Sequence, residues 1–109
     1  MQKINTIKKK TFRIKPKIYF EEWDDPYISA TRWVSEIIEI SGGVDIFSKK
    51  SRSQKALKRA VSSQDVINKN PDIIFASWCG KKVNFDKIKK RQGWSSINAV
   101  KTNSLFEIK

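Results

Sequence analysis

The stretch KIYFEEWDDPYISATRWVSEIIEISGG, residues 17–43, decides how the fold is read. It opens on Lys17–Glu22, whose aromatic and β-branched centre predicts a strand. Pro26 closes an acidic loop behind that strand. Ser29 is then a candidate N-cap for a helix running to about Ser41. Ala30, Trp33, Val34, Ile37 and Ile38 fall at the i, i+3, i+4, i+7, i+8 spacing of a single buried face. Gly42-Gly43 ends the helix, because glycine takes the left-handed conformation without steric cost.

Working outward, Val44, Ile46 and Phe47 read as packed, and residues 48–59 as an exposed loop or short helix. Ser62 and Asp65 have the spacing of a capping box, and the short helix they start must stop at Asn70-Pro71. DIIFAS, residues 72–77, is a short apolar run between turn signals, as in a strand buried on both faces. Asn84 caps a third helix, FDKIKKRQ, that runs to Gly93 with cations at its negative end. SLFEI, residues 104–108, predicts a final strand. The order strand, helix, short helix, strand, helix, strand implies an α/β fold with a mainly parallel sheet of about three to four strands. Open parallel sheets bind ligands beyond the carboxyl ends of their strands. That rule brings together two loops: Glu21, Glu22, Trp23, Asp24 and Asp25 after the first strand, and Trp78, Cys79, Gly80 and Lys81 after the middle one.

At 109 residues the chain has room for one small domain. We expect a basic, flexible tail over residues 1–14 and one lobe over residues 15–109. Cys79 is the only cysteine and histidine is absent, which removes a disulfide framework and the commonest general base and metal ligand. No apolar run approaches the roughly 20 residues of a membrane span. The first residues are basic without the continuous apolar core of a signal peptide. If these residues are the whole gene product, a cytoplasmic location is expected.

The formal charge is +12, and its cations cluster at residues 3–17, 49–59 and 81–91. Such clusters suit nucleic acid or an anionic membrane. They equally suit a solvated surface, and the clusters are lysine-rich, without the arginine bias of base recognition. Nucleic acid is therefore disfavoured as a partner.

The acids of EEWDD lack the spacing of a calcium loop. Adjacent strand residues point to opposite faces, so of Glu21 and Glu22 one can face a cleft while the other faces away or pairs with a cation. SWCGKK, residues 77–82, has the Trp-Cys-Gly of thioredoxin-like sites, but Lys82 stands where a second cysteine is needed. A lone cysteine without histidine has no conventional activating base. No nucleophile elbow, phosphate loop or zinc motif is present. The chain is not expected to be an enzyme, and neither a cofactor nor a metal is expected. An aromatic beside polar groups at one sheet edge is the usual make-up of an organic ligand site, which makes Trp23 and Trp78 the candidate platforms.

Residues 17–47, VSSQDVINKNPDIIFASWCGKK (61–82) and GWSSINAVKTNSLFEI (93–108) together resemble the C-terminal lobe of periplasmic solute-binding proteins of the helical-backbone class. These are the binding components of ABC importers for vitamin B12 and iron–siderophore complexes. EEWDDP and SWCGKK resemble the cobalamin-type subgroup. The resemblance implies a Rossmann-like, three-layer α/β/α lobe. It implies a cobalamin or iron-complex ligand against the two strand-end loops, an ABC permease as partner and a periplasmic location. The N-terminal lobe, the linking helix and the final helix have no counterpart in these residues, which implies either a fragment or a split form with a separate N-terminal lobe. The family's permease-docking acid aligns with Gln64, and Asp65 is the neighbouring acid. Two alternatives stand beside this reading: a repurposed lobe that binds protein or forms a homodimer through uncovered apolar surface, and a basic nucleic-acid-binding protein.

Overall fold

A computed structural model describes residues 15–78 and 80–108. The expected tail over residues 1–14 and the candidate Cys79 lie outside them. Strand β1 is Lys17–Asp24 and β2 is Tyr27–Ser29; helix α1, Arg32–Ile40, leads into the two-residue β3, Val44–Asp45. Two 3-10 turns, Lys50–Arg52 and Ala56–Arg59, precede α2, Ser63–Lys69. β4 is Ile73–Ala76, α3 is Phe85–Lys89, a 3-10 turn covers Trp94–Ser96, α4 is Asn98–Lys101 and β5 is Leu105–Glu107.

The sheet has five strands with the path β2-β1-β4-β5. β1 runs parallel to β4 in the register Ile18↔Ile73 to Glu21↔Ala76, and β4 runs parallel to β5. The other edge of β1 is shared: β3 pairs in parallel at its start, and β2 pairs antiparallel at its end, with a bulge between Glu21 and Trp23. The mixed α/β class with a mainly parallel sheet therefore stands. The antiparallel β2 and the short β3 were not expected, since a tight hairpin at Asp25-Pro26 leaves too few residues for a strand pattern to show.

Period-two alternation sorts the strands into two faces. Tyr19, Glu21, Ile74, Ala76 and Leu105 face α2, α3 and α4, where Val66, Ile88, Trp94, Ile97 and Ala99 complete the principal core. Ile18, Phe20, Ile73 and Phe75 face the other way, where among the described residues they pack with Ala30, just before α1, and with Val34 and Ile38 of α1.

Capping explains several boundaries. Ser62 and Asp65 form the expected box, and Asn70 ends α2 in the left-handed conformation. Asn84 caps α3 as expected, but the helix stops at Lys89, short of Gly93. Ser29 does not cap α1. It lies in β2 with its Oγ donating to the Arg59 carbonyl at 2.8 Å, and Thr31 is the N-cap. The single buried face expected of α1 is only half right. Val34 and Ile38 pack on the sheet, but Trp33 is 72% and Ile37 45% exposed. β4 likewise is deeply buried on one face only, with Ile73 and Phe75 partly open. Among the described residues no helix is long and apolar enough to cross a membrane.

Candidate functional site at the carboxyl ends of β1 and β4

Parallel pairing of β1 with β4 brings the two candidate loops together. Glu21 is fully buried at the end of the paired region. Both of its oxygens are engaged. Arg91 donates to each at 2.8 Å, Trp78 Nε1 donates at 3.0 Å and the Tyr19 hydroxyl at 2.8 Å. The Arg91 guanidinium is held between the rings of Tyr27 and Trp94, 4.1 and 4.5 Å from their centroids. Burial would weaken its charge, but the hydrogen bonds and attraction of Glu21 reverse that and raise its pKa. Burial, then the adjacent Glu21, pushes the Tyr19 phenol well above its ordinary range, so it stays a proton donor to the carboxylate.

The candidates therefore divide by depth. Glu21 and Trp78 lie beneath the rim as a buried, paired platform, because Arg91 draws the carboxylate inward and Trp78 follows it with its indole N–H. Glu22 points to the opposite side of the bulged strand and pairs with Arg59 at 3.1 Å. Trp23 is partly open, and its Nε1 donates to the Asp25 carbonyl at 3.1 Å. Asp24 accepts from Lys81 at 2.9 Å and from Lys87 at 3.1 Å. Burial alone would raise its pKa, but the hydrogen bonds from both lysines prevail and hold it below the usual carboxylate range. Asp25 is exposed. Lys81 Nζ stands 4.9 Å from the Trp23 ring centroid and 5.0 Å from that of Trp78, which links the two loops by cation–π contact. Gly80 turns the second loop at φ +71°, with open space on the side a Cβ would take.

The result is an open amphipathic rim: the partly open Trp23 indole, two solvent-reaching ammonium groups and the exposed carboxylate of Asp25, over a buried Asp24 that both ammonium groups hold. It can hold a ligand by stacking and hydrogen bonding. Glu21, Glu22 and Asp24 each bind a cation of their own chain. Gln64 and Asp65, expected from the resemblance at the docking position, are exposed on the first turn of α2. Gln64 donates to Asn68 at 2.9 Å, and Asp65 is engaged in the capping box.

Sequence reasoning missed Arg91, Lys87, Arg59, Tyr27 and Trp94. Arg91 and Arg59 had been grouped with surface cations. The one usable signal was chemical type: each is an arginine in a lysine-dominated cluster, and Arg is the cation suited to buried bidentate pairing.

The sequence model of the family described as periplasmic binding protein matches residues 1–109. Comparison with functionally curated proteins gives no significant match. Among solved structures, a possible iron-binding periplasmic solute-binding protein from Staphylococcus epidermidis is similar at TM-score 0.71 and 23% identity, over 92% of this chain and 41% of that one. A periplasmic binding protein from Veillonella parvula gives 0.71 and 19%, over 99% and 42%. A periplasmic haem-binding protein from Roseiflexus gives 0.66 and 21%, over 89% and 39%. The chain thus spans about two-fifths of the length of these structures, and at these identities the likeness is one of fold.

Proposed function

Because the chain belongs to the periplasmic binding protein family, we propose that it is a substrate-binding lobe of an ABC-type importer, with its ligand held over the carboxyl ends of β1 and β4. The observation that carries this reading is the convergence of Trp23, Asp25, Gly80 and Lys81 on one open rim, above a platform locked by Glu21, Arg91 and Trp78 and by the buried Asp24 that holds Lys81. A planar or metal-centred organic ligand fits such a rim, with one face on the Trp23 indole and its anionic groups on Lys81 and Lys87. Ferric siderophore, haem and cobalamin share this chemistry. EEWDDP and SWCGKK favour the cobalamin type. The lobe works in the periplasm against an N-terminal lobe and an ABC permease, with Gln64 and Asp65 at the docking position.

Isothermal titration of the chain, alone and mixed with an N-terminal lobe, with cyanocobalamin, haem and a ferric siderophore tests the reading. We expect one of the three to bind. Trp23→Ala should weaken it about tenfold, the equivalent of roughly 1.4 kcal/mol, in a variant shown by circular dichroism to stay folded. Failure of all three ligands with both preparations would refute it.

A second reading, a dimerising lobe, rests on the sheet face that the described residues leave partly uncovered. A groove of about 740 Å³ runs along Ile18, Phe20, Trp33, Ile37, Phe75 and Ile108. Among the described residues the outer edge of β5 is unpaired, and Phe106 carries the apolar face to that edge, its ring 5.6 Å from that of Phe75. The occupant that fits is a second copy, since pairing across β5 would make the two apolar faces continuous.

A further inference from the structure

We propose that the two 3-10 turns between β3 and α2 form a docking surface for an anionic lipid membrane. Residues 46–64 contain no acid and carry Lys49, Lys50, Arg52, Lys55, Lys58 and Arg59. The fold gives these six cations two different tasks. Arg59 is 3% exposed and works as an anchor. It donates to the Ser53 carbonyl at 2.9 Å and the Ser29 carbonyl at 3.4 Å, and pairs with Glu22 at 3.1 Å. The other five are exposed. The two turns pack on each other, the first also on α1 and the second on β2. The exposed cations therefore stand on a framework tied at its base.

Leu57 occupies the second turn, 76% exposed between Lys55 and Lys58. Beside the first turn, a cavity of about 580 Å³ is lined by Lys17, Lys49, Lys50 and Lys69. Its two acids are Asp45, buried with Oδ1 accepting from the Phe47 amide, and Asp65, held in the capping box of α2. Four lysines thus line this hollow, against the one buried carboxylate oxygen, Asp45 Oδ2, that has no hydrogen-bond partner among the described residues.

A protruding aliphatic side chain set among lysines is the composition of an interfacial membrane contact. The apolar group enters the headgroup boundary while the cations meet lipid phosphates. It does not suit nucleic acid. Residues 48–59 contain no aromatic, and the exposed cations are four lysines and one arginine. Stacking needs the first and base reading favours the second. The surface is separate from the strand-end rim, so its test does not depend on any ligand.

The test is co-sedimentation of the full chain with vesicles of phosphatidylglycerol and phosphatidylcholine, with pure phosphatidylcholine and duplex DNA as the other arms. We expect binding to the anionic vesicles alone, weakening as salt rises. Leu57→Ser should reduce it about threefold and Lys55→Gln with Lys58→Gln about tenfold, with unchanged circular dichroism and melting temperature. A variant with Lys8, Lys9 and Lys10 changed to Gln measures the contribution of the other basic segment. Absence of vesicle binding overturns the proposal. So does binding that only the Lys8–Lys10 variant reduces, binding that Leu57→Ser leaves unchanged, or equally tight binding to DNA through the same lysines.

Discussion

Arg91 gives both terminal nitrogens to Glu21 while its flat faces rest on Tyr27 and Trp94. Removing two such ions from water is costly, and their attraction offsets the cost only while both are present. Arg91→Ala leaves a buried carboxylate unpaired and is expected to destabilise the lobe by about 3–5 kcal/mol, read by urea unfolding. The double variant Glu21→Gln, Arg91→Met should lose clearly less. If the double variant is as unstable as the single one, the ion pair is not the source. Asp24 tests the rim differently. Its pKa is depressed in the folded state, so its stabilisation is complete above the unfolded value of about 3.9 and is lost as pH falls through the folded value. Both partner lysines reach solvent, which limits the effect to about 1 kcal/mol. The stability difference between wild type and Asp24→Asn should therefore be constant from about pH 5 to 8 and vanish in stronger acid. A difference that persists undiminished at about pH 2 would contradict this origin.

At the scale of elements, local chemistry proved readable wherever it was self-contained. The Ser62–Asp65 box, the Asn70 stop and the Asn84 cap depend on residues within one turn, and each is present. β1, β4 and β5 were legible from their apolar runs. The hairpin Tyr27–Ser29 was not. Ser29 is a good helix cap by type, but the antiparallel pairing Glu21↔Ser29 and Trp23↔Ile28 claims it for the sheet. The α1 pattern shows a related limit. Apolar spacing reports which side of a helix can be buried, and Trp33, Ile37 and Ile40 have the spacing without a covering element among the described residues.

For the whole molecule, the asymmetry between the two sheet faces matters most. One is sealed by three helices, and the other carries one helix and an open apolar groove. Apolar surface of this kind tends to associate. Sedimentation equilibrium should show a monomer–dimer exchange in the range of tens of micromolar or tighter, about −6 kcal/mol or better. Trp33→Ser with Ile37→Ser should shift it toward monomer. A strict monomer at millimolar concentration would remove the dimerising reading and leave the strand-end proposal untouched.

By itself the sequence determined the α/β alternation, the helix boundaries set by capping residues, and the two loops that meet at one sheet edge. Each follows from side-chain type and near-neighbour spacing, which act within a few residues. Only the tertiary structure decided which charges reach the open rim and which are buried as internal supports. Glu21 and Arg91 are 70 residues apart, as are no two partners that spacing could have joined. The burial that makes their pairing compulsory exists only once β1, α3 and the turn at Trp94 have packed together.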